Sequence, residues 1–98
     1  MDVSFKNSGD ELTVVLSGRL DTLTSPELEK ELSGKLGGIK KLIFDFSKLE
    51  YISSAGLRVL LTAQKSMNIQ GSMVIKYVNE EINEIFDVTG FSNILSIE

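Results

Sequence analysis

One transition constrains the fold of this chain more than any other. Leu42-Ile43-Phe44-Asp45-Phe46 is a nearly unbroken apolar run, and a few residues later Leu57, Leu60, Leu61 and Met67 recur at helical spacing. The first segment reads as a largely buried strand and the second as a helix packed along one face. Ser47-Lys48-Leu49-Glu50-Tyr51-Ile52-Ser53-Ser54-Ala55-Gly56 lies between them, so Ser53 and Ser54 stand where a helix begins. The first amides of a helix have no internal acceptors. A serine there caps them, and a phosphate added there meets free N–H donors and the positive end of the helix dipole.

The flanking segments fit the same architecture. Val3 and Phe5 alternate with Ser4 and Lys6, Asn7-Ser8-Gly9-Asp10 supplies turn residues, and Leu12, Val14 and Leu16 resume the alternation to Gly18, which predicts a hairpin. Thr24-Ser25-Pro26-Glu27 matches a capping box with proline in the first turn. Leu28, Leu32 and Leu36 continue that helix on one face, and Gly37-Gly38 suits a left-handed cap. The central strand is expected over residues 41–46 and the following helix over 55–68, with Asn68 and Gly71 bracketing its end. Met73-Val74-Ile75-Lys76-Tyr77-Val78 reads as another strand. Asn79 caps a third helix with Ile82, Ile85 and Phe86 inward until Gly90, and residues 91–97 supply a short edge strand or packing tail. The order β-β-α-β-α-β-α-β predicts a single α/β domain over residues 1–98: a mixed four- to five-stranded sheet covered by amphipathic helices, with right-handed crossovers.

Composition removes most catalytic readings. The chain has no cysteine and no histidine, so disulfides, thiolate chemistry, the commonest general base and the commonest metal ligand are all missing. A net charge of -4 with lysines and arginines scattered singly or in one pair disfavours nucleic acid as a direct partner. Met1-Asp2-Val3-Ser4-Phe5-Lys6 lacks the basic start and apolar core of a signal peptide, and no apolar stretch nears the roughly 20 residues that span a bilayer. A cytoplasmic protein without direct membrane insertion is expected.

Specific chemistries fare no better. Ile52-Ser53-Ser54-Ala55-Gly56 resembles a nucleophile elbow only superficially, with isoleucine for its first glycine and no histidine to activate a serine, so a hydrolase is not expected. No P-loop motif is present. Asp45, Asp21 and Glu50 are acids without fixed ligand spacing, better explained as turn caps and solvated charge than as a metal site. Neither an enzyme, a cofactor nor a metal is expected. Spacing alone leaves Ser54 as either a helix cap or a modifiable hydroxyl, with Ser53 competing for both roles. Arg58 stands four residues after Ser54 on the same helix face, as a phosphate partner or as an ordinary surface residue.

Gly18-Arg19-Leu20-Asp21, the strand Leu42 to Phe46 and above all Tyr51-Ile52-Ser53-Ser54-Ala55-Gly56-Leu57 carry a family resemblance. With them, and with its element order, the chain resembles the STAS domain of bacterial anti-sigma-factor antagonists along essentially its whole length. The resemblance implies a protein that, when unphosphorylated, binds an anti-sigma factor with serine kinase activity and so frees a sigma factor. Phosphorylation breaks that complex and a PP2C-type phosphatase restores it. The family's usual pattern is Asp-Ser-[Ser/Thr]-Gly-Leu with phosphate on the serine after the aspartate; aligned on Gly56-Leu57, that serine is Ser54. Ser53 replaces the usual aspartate and Ala55 the usual second hydroxyl. The resemblance also implies that Asp21-Thr22-Leu23 lies beside Ser54, giving a partner surface of Asp21, Thr22, Leu23, Ser53, Ser54, Ala55, Gly56, Leu57 and Arg58. The alternative on the same fold is a constitutive STAS subunit of an ABC-type lipid-transport complex, with Ser54 a cap inside a permanent interface.

Overall fold

In a computed structural model, which describes residues 1–98, Gly9 takes φ +63° and turns β1 (Asp2–Ser8) back into β2 (Glu11–Leu20). That left-handed backbone angle suits glycine, so a two-residue turn closes an antiparallel hairpin. From β2 the chain passes through α1 (Ser25–Ser33) to β3 (Lys41–Ile52), then through α2 (Ser54–Gln70) to β4 (Ser72–Lys76). Both crossovers return parallel, giving one four-stranded sheet in the order β1-β2-β3-β4. α3 (Glu80–Thr89) and a 3-10 turn at Phe91–Asn93 follow.

Register aligns the core. Leu12 lies beside Leu42 and Leu42 beside Met73, while Val14 lies beside Phe44 and Phe44 beside Ile75. These residues share one sheet face and are buried with Leu28 and Leu32 of α1, Leu60 and Met67 of α2, and Ile82 and Phe86 of α3. Burying side chains of this size is worth about 1.5–3 kcal/mol each. Phe44 and Phe46 meet edge to face at 6.1 Å, and Phe86 brings α3 onto Phe46 at 6.5 Å. No helix is long and apolar enough to cross a membrane.

Several boundaries differ from the sequence expectation, each for a physical reason. β3 does not stop at Phe46 but runs to Ile52, because β2 continues to pair with it through two register shifts after β4 has ended. Its exposed Ser47, Lys48 and Glu50 interrupt the apolar run without ending the strand. α1 ends at Ser33, with Gly34 in right-handed geometry, and Leu36 packs half-buried from the following loop. The capping box does not form, since the Thr24 hydroxyl bonds Arg19 and Asp21 and leaves the helix amides alone. No fifth strand forms: the chain after α3 coils, and only Ile97 bridges the edge of β4 at Ile75. β4 ends at Lys76, two residues before the expected end, where Tyr77 takes φ 62° and turns the chain out. The α3 caps match the expectation: Asn79 Oδ1 accepts the Ile82 amide at 2.8 Å, and Gly90 is left-handed at φ 82°.

Candidate functional site at the β3–α2 junction

Beyond the end of β4, β2 and β3 continue side by side and pair Arg19 with Tyr51 and Leu20 with Ile52. The Ser53 amide then donates to the Leu20 carbonyl at 2.9 Å, which anchors the chain one residue before α2 starts. Ser53 is the N-cap in extended geometry, and its carbonyl accepts the Leu57 amide at 2.9 Å to open the helix. Its hydroxyl makes no capping bond and is buried without a partner. Ser54 is the first helical residue and is exposed. The two serines that sequence left equivalent therefore differ in access, and neither hydroxyl serves as a helix cap.

Gly56 explains how α2 approaches so closely. A Cβ there would sit 2.7 Å from Ile52 Cγ1, 2.8 Å from Leu20 Cγ and 3.0 Å from the Leu20 carbonyl oxygen. Leu57 is buried beneath the first turn, Ala55 is half-buried, and Arg58 is exposed on the turn after Ser54. Of the predicted partner-binding residues, Gly56 and Leu57 thus shape the surface from below, while Ser54 and Arg58 stand on it.

The loop after β2 is ordered by one carboxylate. Asp21 Oδ1 accepts the amides of Leu23 at 3.0 Å and Thr24 at 3.2 Å, and the Thr24 hydroxyl accepts the Asp21 amide at 2.9 Å. The Thr24 hydroxyl also donates to the Arg19 carbonyl at 2.9 Å. The Thr24 amide, more than any other group, holds the Asp21 carboxyl below its ordinary titration range; desolvation opposes it, and the Leu23 amide, the Thr24 hydroxyl and the Arg19 guanidinium, at 4.0 Å, add to the lowering. Thr22 is exposed and Leu23 projects its apolar side chain with 88% exposure. Because Leu20 precedes this loop and holds Ser53, Asp21–Leu23 and Ser53–Arg58 come together at one end of the sheet.

Two further residues belong to this end and were missed as site residues. Arg19 lies 4.4 Å over the Tyr51 ring while reaching Asp21, so it ties strand to loop. Gly18-Arg19-Leu20-Asp21 stood out in the sequence, but the Arg19–Tyr51 pairing depends on the register shifts between β2 and β3, which no periodicity reveals. The acids Asp21, Asp45 and Glu50 are not brought together: Asp45 Oδ1 accepts the Ser47 amide at 2.9 Å, and no group of three or more potential ligands converges.

The family model described as the STAS domain matches residues 2–98. BtrV of Bordetella bronchiseptica, provisionally named an anti-sigma factor antagonist, is 34% identical over 88 residues, covering 88% of this chain and 76% of that protein. The anti-sigma-B factor antagonist of Bacillus subtilis is 26% identical over 98 residues, covering 99% of this chain and 90% of its own. Among solved structures, the Bacillus anti-sigma factor antagonist SpoIIAA superimposes in its unphosphorylated form with a TM-score of 0.79 at 15% identity, covering 99% of this chain and 87% of that one. Its phosphorylated form gives a TM-score of 0.78 at 15% identity, covering 99% and 91%. At that identity the likeness is one of fold.

Proposed function

The chain belongs to the STAS domain family, and on that premise we propose that it is an anti-sigma-factor antagonist switched off by phosphorylation of Ser54. The observation that carries the choice of residue is the contrast in access: the Ser53 hydroxyl is buried and the Ser54 hydroxyl faces solvent on the first turn of α2. The names of BtrV and the Bacillus subtilis protein support the antagonist role.

The switch needs no refolding. A phosphate on Ser54 brings a charge of about -1.5 to -2 to the amino end of a helix of 17 residues, where free amides and the dipole favour it and Arg58 stands one turn away. The same charge pressed into a formed interface loses its water, which costs on the order of 2–5 kcal/mol and weakens binding tens to thousands of times. That SpoIIAA keeps this fold in both of its forms supports a switch that acts on the surface alone. Asp21, Thr22 and Leu23 extend the partner surface, with Leu23 as its apolar contact. The partner is an anti-sigma factor with serine kinase activity, a PP2C-type phosphatase reverses the modification, and the exchange takes place in the cytoplasm.

The test is to incubate the protein with the anti-sigma kinase and ATP, map the product by mass spectrometry, and measure binding before and after. Phosphate on Ser54 with release of the kinase supports the proposal. A product lacking phosphate at Ser54, or a complex that persists in Ser54→Asp, overturns it, and a partner held permanently despite ATP points instead to a constitutive subunit of an ABC-type lipid-transport complex.

A further inference from the structure

The two edges of the sheet are treated differently. The outer edge of β4 is covered, because the Ile75 amide donates to Ser96 and the Ile75 carbonyl accepts Glu98, both at 2.9 Å. The outer edge of β1 is bare: its backbone makes no bond outside the β1–β2 ladder. An open strand edge is a template for another strand unless something blocks it. β1 carries only two charged residues, Asp2 and Lys6, and no proline.

We propose that β1 pairs antiparallel with β1 of a second copy about a twofold axis at Ser4, joining two sheets into one of eight strands. Hydrogen-bond parity allows this register. The two-residue turn makes Ser8 and Glu11 a hydrogen-bonded pair, so alternation along β1 leaves the N–H and C=O groups of Val3, Phe5 and Asn7 directed away from β2. With the axis at Ser4, Val3 faces Phe5 of the partner copy and Phe5 faces Val3, both outward-bonding residues.

The charges select the same register. Asp2 then faces Lys6 of the second copy and Lys6 faces Asp2, at the non-hydrogen-bonded positions where cross-strand side chains come closest. Moving the axis to Phe5 sets Lys6 against Ser4; moving it to Lys6 sets two lysines together. α1 and the loop that follows it add a second complementary pair. Lys35 Nζ lies 4.8 Å from the Phe5 ring, while Glu27 and Glu31 line a cleft with Asp2 and Val3. Setting Phe5 of one copy beside Val3 of the other brings Lys35 to that acidic cleft. Val3 and Phe5, each half-buried in one copy, gain a neighbour on the core face of the sheet.

Charge reversal tests this by sedimentation velocity. At about 100 µM, where a Kd of micromolar order leaves mostly dimer, the wild-type chain is expected to sediment as a dimer. Asp2→Lys sets lysine against lysine and Lys6→Asp sets aspartate against aspartate, so each variant alone is expected to weaken association about tenfold or more. An equimolar mixture of the two restores every opposite-charge pair and is expected to recover a dimer, which misfolded variants could not do. Ser54→Asp is expected to leave association unchanged, separating this interface from the switch. A monomeric wild-type chain, reversals that do not weaken the dimer, a mixture that stays monomeric, or loss of the dimer in Ser54→Asp overturns the proposal.

Discussion

The Ser53 amide and the Leu20 carbonyl are joined at 2.9 Å, so the last residue of β2 fixes the N-cap of α2. This bond couples two segments more than thirty positions apart in sequence. The position of the turn that carries Ser54 is therefore set by the strand pairing beneath it.

Gly56→Ala tests how tightly that turn is seated. The added methyl meets Leu20 and Ile52 at 2.7–3.0 Å, including the Leu20 carbonyl, which cannot rotate away. Overpacking of this kind is expected to cost about 1–3 kcal/mol, which thermal denaturation reads as a loss of about 4–8 °C per kcal/mol in a domain of this size. An unchanged melting temperature would show that α2 is free to slide.

The two serines are expected to separate cleanly. An N-cap serine replaced by alanine ordinarily loses about 1 kcal/mol. Ser53 makes no capping bond and buries an unsatisfied hydroxyl, so Ser53→Ala is expected to be neutral or to stabilise by up to about 1 kcal/mol while leaving phosphate incorporation intact. Ser54→Ala is expected to abolish incorporation with a stability change within about 0.5 kcal/mol, as for an exposed position. Denaturant titration and phosphopeptide mapping distinguish the two.

Asp21 gives the site a defined pH dependence. Its carboxyl titrates below the ordinary aspartate value of 3.8, chiefly because the charged form accepts the Thr24 amide. A carboxyl depressed in the folded state contributes its stabilisation fully above the unfolded value, and that contribution is lost as pH falls through the folded one. The loop is therefore expected to stay ordered at neutral pH and to loosen only below pH 3.8. A carbon-detected NMR titration of Asp21 checks the midpoint. Asp21→Ala is expected to speed hydrogen exchange at Leu23 and Thr24, whose amides lose their acceptor.

Asn79 joins two elements with one side chain, capping α3 through Oδ1 and donating from Nδ2 to the Leu49 carbonyl at 3.1 Å. Asn79→Ala removes both bonds and is expected to cost about 1–2 kcal/mol. Asn79→Asp keeps the cap, loses the bond to β3 and is expected to fall between the two; equal stability of all three proteins in urea would refute the double role.

Much of this was legible in the residues. Alternation in β1 and β2, the apolar run of β3, the helical stripe of Leu57, Leu60 and Met67, and Asn79 and Gly90 as caps are local signals, written in residues close enough in sequence to fix their own backbone. The element order through α3 and the strand-to-helix junction at Ser53 and Ser54 followed from them. The length of β3, the failure of Thr24 to cap, the coil in place of a fifth strand and the difference in access between two adjacent serines did not. Three depend on a partner distant in the chain: β2 extending β3 past Phe46, Ile75 accepting only one bridge from Ile97, and Leu20 holding Ser53. Thr24 is taken instead by its near neighbours Arg19 and Asp21, in a loop geometry that the capping pattern does not reveal. Sequence determined which segments fold and where a hydroxyl could meet a helix. Only tertiary packing decided which hydroxyl is buried and which is exposed, because burial is set by neighbours that periodicity cannot name.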